Sequence, residues 1–219
     1  MKIAIHNREG SFSDRWINYC NENSITYKIV NVYKSNIIEQ VSDCSMLMWH
    51  HHHGLYKDTL FAKQLSFSLQ QSGKRVFPDF ATCWHFDDKV GQKYLLESID
   101  VPFVPTYIFY SKVEALKWID EATFPKVFKL RSGAGSSNVK LLKTKKEAIK
   151  FVKRAFGKGF KPFNAWNKFR ETWSEFMKGE TGFKGVLYRF YKVFFTNNSS
   201  QIHPNEKGYF YVQDFIPNN

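Results

Sequence analysis

Strand-like and helix-like segments alternate from the first residues onward, and this alternation limits the folds open to the chain. Lys2–His6 reads as a strand, and Phe12–Asn23 follows with Phe12, Trp16, Tyr19 and Cys20 at helical spacing. Ile25–Val32 is a second strand, Ile37–Val41 a short helix, and Met46–Trp49 an apolar strand. Leu60, Leu65 and Leu69 mark a helix ending near Gly73, and Lys74–Phe77 is a strand closed by Pro78. Strands separated by helices need crossover connections, which predicts an α/β layer on a mainly parallel sheet. No glycine-rich dinucleotide fingerprint follows the first strand, which argues against a nicotinamide cofactor.

A second pattern starts at Asp87-Asp88, which suit a helix N-terminus, with Leu95, Leu96 and Ile99 as the apolar face. Pro102 and Pro105 bracket an extended stretch leading into a strand over Thr106–Tyr110, and Val113–Ile119 is helical. Lys126–Leu130 and Asn138–Leu142 both have strand character, and between them lie Arg131, Ser132, Gly133, Ala134, Gly135, Ser136 and Ser137. Gly133 and Gly135 permit the positive φ angles that let backbone N–H groups converge on an anion. The serines add donors without bulk, and Lys129 ends the incoming strand with a charge. This equipment suits a polyphosphate, although a hairpin with a solvated tip has the same pattern. Lys145–Phe156 is an amphipathic basic helix, and GYFYVQDFIPNN from Gly208 is one more strand.

Composition describes an ordinary soluble globular protein, with 219 residues, 43% hydrophobic and 24% charged. The 22 Phe predict a Phe-rich core. No run of about 18 apolar residues is present, so no membrane span is expected, and the first residues do not form a secretory signal. Cys20, Cys44 and Cys83 are odd in number and widely spaced, which predicts buried thiols in a reducing cytoplasm. The formal net charge is +12, and much of it is regional: Lys145 to Phe195 holds ten Lys and three Arg against four Glu.

Within that region, Phe163, Trp166, Phe169, Trp173 and Phe176 recur at steps of three and four. The spacing favours a packed or capping helix face over a base-stacking nucleic-acid surface. His50, His51, His52 and His53 follow an apolar strand, where ligands of open α/β sheets gather. They could contact an acidic substrate. Adjacent strand residues point to opposite faces, which argues against a shared metal, so no metal site is assigned.

The parts in order resemble the ATP-grasp superfamily. They are an α/β layer, a helix opened by Asp88-Lys89, the VPFVPT stretch, a VFKL strand with a Gly/Ser loop, and a VQDFIP strand. The similarity is to RimK-like (α-L-glutamate-ligase-like) members that accompany polysaccharide biosynthesis, and it covers nearly the whole chain. It implies a Rossmann-like pre-ATP-grasp domain over 1–84, then the first ATP-grasp lobe over 85–219 with a basic aromatic insertion at about 158–205. Lys89 and Lys129 would reach the nucleotide phosphates, and Ser132, Gly133, Ala134, Gly135, Ser136, Ser137 and Asn138 would form the flap over them. Gln213, Asp214, Phe215 and Ile216 would be the adenine-reading linker, through the Asp214 carbonyl and the Ile216 N–H.

The resemblance further implies ATP with magnesium, an acyl-phosphate route, and carboxylate and acceptor substrates that the residues do not identify. The family's magnesium ligands lie in a second lobe after the linker. The chain ends three residues past Ile216, so it reads as the ATP-binding portion of a larger ligase, not competent alone. A homo-oligomer is compatible with this reading. The alternative is a non-catalytic basic module holding nucleic acid or an acidic polymer.

Overall fold

The computed structural model describes residues 1–52, 55–132, 138–161 and 204–217, together with Phe176, Gly182, Gly185, Leu187, Tyr188 and Tyr191. The chain divides into two compact units, Met1–Phe86 and Asp87–Asn219.

The first unit is a four-stranded parallel sheet of β1 (Ile3–His6), β2 (Tyr27–Val30), β3 (Met46–Met48) and β4 (Arg75–Phe77), in the order β2-β1-β3-β4. Its crossovers carry α1 (Phe12–Glu22), α2 (Ile37–Gln40) and α3 (Tyr56–Gln71). All four residues of β1 are buried, so this strand needs cover on both faces. Ile3 and Ile5 pack with Cys20, Trp16 and Ile17 of α1. Ala4, pointing the other way, joins Leu47, Ala62, Leu65 and Leu69. The sheet is therefore sandwiched between helices, as its near-continuous apolar strands require. Ser11 caps α1 by accepting from the Ser13 N–H. A short helix α4 (Phe80–Cys83), not anticipated from periodicity, is capped by Asp79. Cys20, Cys44 and Cys83 are free and buried.

The second unit is antiparallel, with strand order β5-β8-β6-β7. Its strands are β5 (Thr106–Phe109), β6 (Lys126–Lys129), β7 (Val139–Leu142) and β8 (Phe210–Asp214). The hairpin expected around the Gly/Ser segment is present as β6 and β7, with Lys129 opposite Val139. The last strand enters the middle of the sheet, pairing β5 on one side and β6 on the other.

Phe128, Phe210 and Val212 project from this sheet onto Ala115 and Ile119 of α6 (Lys112–Glu121) and Ala148 and Val152 of α7 (Lys145–Ala155). The Phe128 and Phe210 rings stack at 5.7 Å, and Phe160 lies 4.9 Å from Phe128, which makes the Phe-rich core expected from composition. Phe160 thus belongs to this core, whereas Phe163, Trp166, Phe169 and Trp173 lie outside the described residues.

Helix α5 (Lys89–Ser98) differs from its expectation. It has no fully buried residue, and Ile99 is 57% exposed instead of completing an apolar face. No helix among the described residues is long and apolar enough to cross a membrane.

Candidate functional site

Asp88, Lys89, Lys129, Arg131 and Ser132 lie together at the loop end of the β6–β7 hairpin, whereas Gln213 and Asp214 lie toward its other end, where Asp214 is opposite Lys126. Asp88 organises the loop-end group. One carboxylate oxygen accepts from the Gly91 N–H at 3.0 Å and caps α5, while the other takes Arg131 through Nε at 2.9 Å and Nη2 at 2.7 Å. A backbone bond from the Lys89 N–H to the Arg131 carbonyl, 2.9 Å, completes the clamp. A helix start and a strand end far apart in sequence are thereby joined, and Lys89 and Lys129 are brought near each other. Replacing Asp88 with alanine removes the cap and the guanidinium anchor together. The expected cost is about 1 kcal/mol of stability from the cap, measurable as a lower urea midpoint.

Lys129 is half-buried, and its ammonium has no hydrogen-bond or ion-pair partner among the described residues. Burial, and then the charge of Lys89, push its pKa down. Lys89 donates to Gln92 Oε1 at 3.1 Å, a neutral partner that leaves its charge uncompensated. Two ammonium groups near each other without a carboxylate form a local positive field at the mouth of the hairpin.

The base of the loop is held by a group that the sequence reading did not single out. Glu206 accepts from the Arg131 N–H at 3.0 Å, from Ser132 Oγ at 2.5 Å and from the Tyr209 hydroxyl. Burial, and then Glu206, push the Tyr209 pKa upward, keeping the phenol a donor. Glu206 is placed by a bridge to Phe160, next to Gly159. A Cβ on Gly159 would come within 2.5 Å of the Glu206 carbonyl, and its φ of +72° also favours glycine. No local motif marks Glu206; only the return of the chain from 204 to 209 brings it to the loop. Gly133, Ala134, Gly135, Ser136 and Ser137 lie outside the described residues, whereas Ser132 and Asn138 flank them, with the Asn138 carbonyl accepting from Leu130 N–H at 3.0 Å.

The end of β8 offers a second set of groups. Gln213 Nε2 donates to Thr106 Oγ1 at 2.7 Å, and that hydroxyl donates to the Val104 carbonyl at 2.7 Å. Gln213 thereby keeps its amide oxygen turned away from Thr106 as an acceptor. Asp214 is committed on two sides: its carboxylate meets Lys126 Nζ at 2.5 Å, and its N–H bonds the Pro105 carbonyl at 3.0 Å. In an antiparallel pair this last bond is normally reciprocated. Proline has no N–H to return, so the Asp214 carbonyl has no ladder donor on that side. Phe215 and Ile216 follow, 41% and 63% exposed.

The histidine tract lies in the first unit. His50 and His51 follow β3, the His52 N–H donates to Asp58 at 2.6 Å, and His53 lies outside the described residues. No group of three or more His, Cys, Asp or Glu side chains is placed to hold a metal among the described residues.

No family model matches the sequence, and no curated protein matches it. Solved structures do. The whole chain aligns with a RimK domain ATP-grasp protein from Sphaerobacter thermophilus at a TM-score of 0.54 and 15% identity. Over 98% of its length it aligns with the biotin carboxylase domain of the Hydrogenobacter thermophilus 2-oxoglutarate carboxylase, at a TM-score of 0.53 and 13% identity. That domain was solved in complex with MgADP, ADP and bicarbonate. The chain spans 66% and 44% of the length of these two neighbours. A parallel α/β layer followed by an antiparallel sheet, aligned with such neighbours from end to end, gives this chain the fold of the ATP-grasp superfamily.

Proposed function

We propose that this chain is the nucleotide-holding part of an ATP-dependent ligase that joins a carboxylate to an amine-like acceptor through an acyl-phosphate. The observation that carries the reading is the half-buried ammonium of Lys129, without a counter-charge among the described residues and pressed by Lys89. An unpaired buried cation is costly, and a polyphosphate would supply the missing charge to both lysines. The segment from Ser132 to Asn138, including Gly133, Ala134, Gly135, Ser136 and Ser137, would close over the phosphates.

Adenine would be read by the Asp214 carbonyl, the Gln213 amide oxygen and the Ile216 N–H, beside Phe215. Magnesium would neutralise the phosphates when bound, with ligands supplied from outside this chain. A cytoplasmic setting and a role in cell-surface polysaccharide or peptide modification complete the proposal. His51, His52 and His53 would stand on the substrate side.

ATP or ADP with magnesium is expected to raise Tm, and Lys129→Ala to remove the rise. A protein that ignores nucleotides and instead binds oligonucleotides with steep salt dependence would replace this reading with the basic-module alternative. The adenine end has its own test. Pro105→Ala restores a backbone N–H that competes for the Asp214 carbonyl, so preference for ATP over GTP should fall by roughly fivefold, about 1 kcal/mol. Unchanged discrimination would exclude that carbonyl as the adenine contact.

A further inference from the structure

The strand order β2-β1-β3-β4 makes the gap between the carboxyl ends of β1 and β3 the switch point of the first sheet, because the crossovers on its two sides run in opposite directions. Arg8 lies just beyond β1 and reaches across that gap. Its Nη2 stands 3.2 Å from His50 Nδ1 and 3.5 Å from the His50 carbonyl, beyond the end of β3. An arginine only donates, so the His50 Nδ1 atom is the acceptor, which places the imidazole proton of neutral His50 on Nε2.

The backbone of Arg8 is held by Ser13. Ser13, fully buried, accepts from the Arg8 N–H at 3.0 Å and shares its single hydroxyl proton between Asn7 Oδ1 and the Arg8 carbonyl. Among the described residues the Arg8 side chain has no carboxylate partner, and its buried Nε–H has no acceptor. Nearby acids are engaged elsewhere: Asp14 by the Gly10 N–H at 2.8 Å, and Asp58 by Tyr33 and His52. Burial pushes the His6 pKa down, so that ring adds no second positive charge at neutral pH.

We infer that Arg8, held across the β1–β3 switch point against His50, is a recognition site for the carboxylate of a small organic acid. A planar fork with an unmatched Nε–H suits bidentate pairing with a carboxylate. A single arginine flanked by neutral rings is a poorer match for a phosphate dianion. The inference goes beyond the nucleotide reading and does not depend on it, since every residue it uses lies in the first unit.

The test is an NMR titration of the full chain at constant ionic strength, following the Arg8 Nε–H resonance and the His50 amide. Succinate should shift both saturably, Arg8→Lys and Arg8→Ala should lose the His50 response, and Lys129→Ala should keep it while losing the response to ADP. Arg8→Lys keeps the charge without the fork, which separates recognition from folding, and the Nε–H readout needs no variant. An Arg8 resonance unmoved by succinate, a larger shift with inorganic phosphate, or a His50 response surviving in Arg8→Lys would each overturn the assignment.

Discussion

Lys129→Met is expected to leave the unliganded protein as stable as the natural one or more so, while weakening ADP binding by roughly 10- to 150-fold, about 1.5–3 kcal/mol. The two halves of this result have one cause. In the free protein the Lys129 ammonium is half-buried, has no partner among the described residues, and is repelled by Lys89, so its removal relieves a cost. In the proposed complex the same ammonium would be a charge-assisted donor to polyphosphate that methionine cannot replace.

The pH dependence carries the same signature. A depressed folded pKa means that the unfolded chain binds more protons, so the Lys129 contribution to stability rises with pH, from the folded pKa toward the ordinary value of 10.5. The stability difference between Lys129→Met and the natural protein should therefore shrink as pH increases through that window. Denaturant midpoints across the alkaline range, with and without ADP, measure both effects. A variant that is destabilised without ligand and binds ADP normally would show Lys129 to be a structural residue.

The largest loss of stability is expected at Asp58, in the first turn of α3. This carboxylate is 1% exposed and accepts from the Tyr33 hydroxyl at 2.5 Å and the His52 N–H at 2.6 Å. Alanine would strand both donors in a closed environment, at about 1–3 kcal/mol each, so a total near 3 kcal/mol or more is expected from urea unfolding. Burial, and then Asp58, raise the Tyr33 pKa, so the phenol remains protonated and has to donate somewhere. Asparagine offers only one acceptor oxygen for two donors on separate oxygens, and should lose about half as much. Equal losses in Asp58→Asn and Asp58→Ala would point to charge, such as its position at the α3 N-terminus, in place of hydrogen-bond count.

Much of the fold is legible in the residues because its signals are local. The fully apolar β1, the alternation around Lys126–Lys129, and capping residues such as Asp88 act within one turn or one strand, so period and cap chemistry locate the elements to within a residue or two. The Gly/Ser segment likewise announces a hairpin, and β6 and β7 form it. The α5 face departs from expectation for a related reason: helical spacing shows which residues share a side, but not whether anything lies against it, and Ile99 meets solvent.

The residues alone show an alternation of strands and helices that requires a mainly parallel layer, followed by a donor-rich hairpin, because period, caps and turn residues act within a few positions of the chain. Tertiary structure alone decided that β8 enters the middle of its sheet, that Asp88 grips Arg131 across 43 positions, that Glu206 holds Ser132 across 74, and that Arg8 meets His50 across 42. Such pairings leave no period in the sequence. They arise only once the apolar faces have packed and a buried charge must take whichever partner the fold brings within reach.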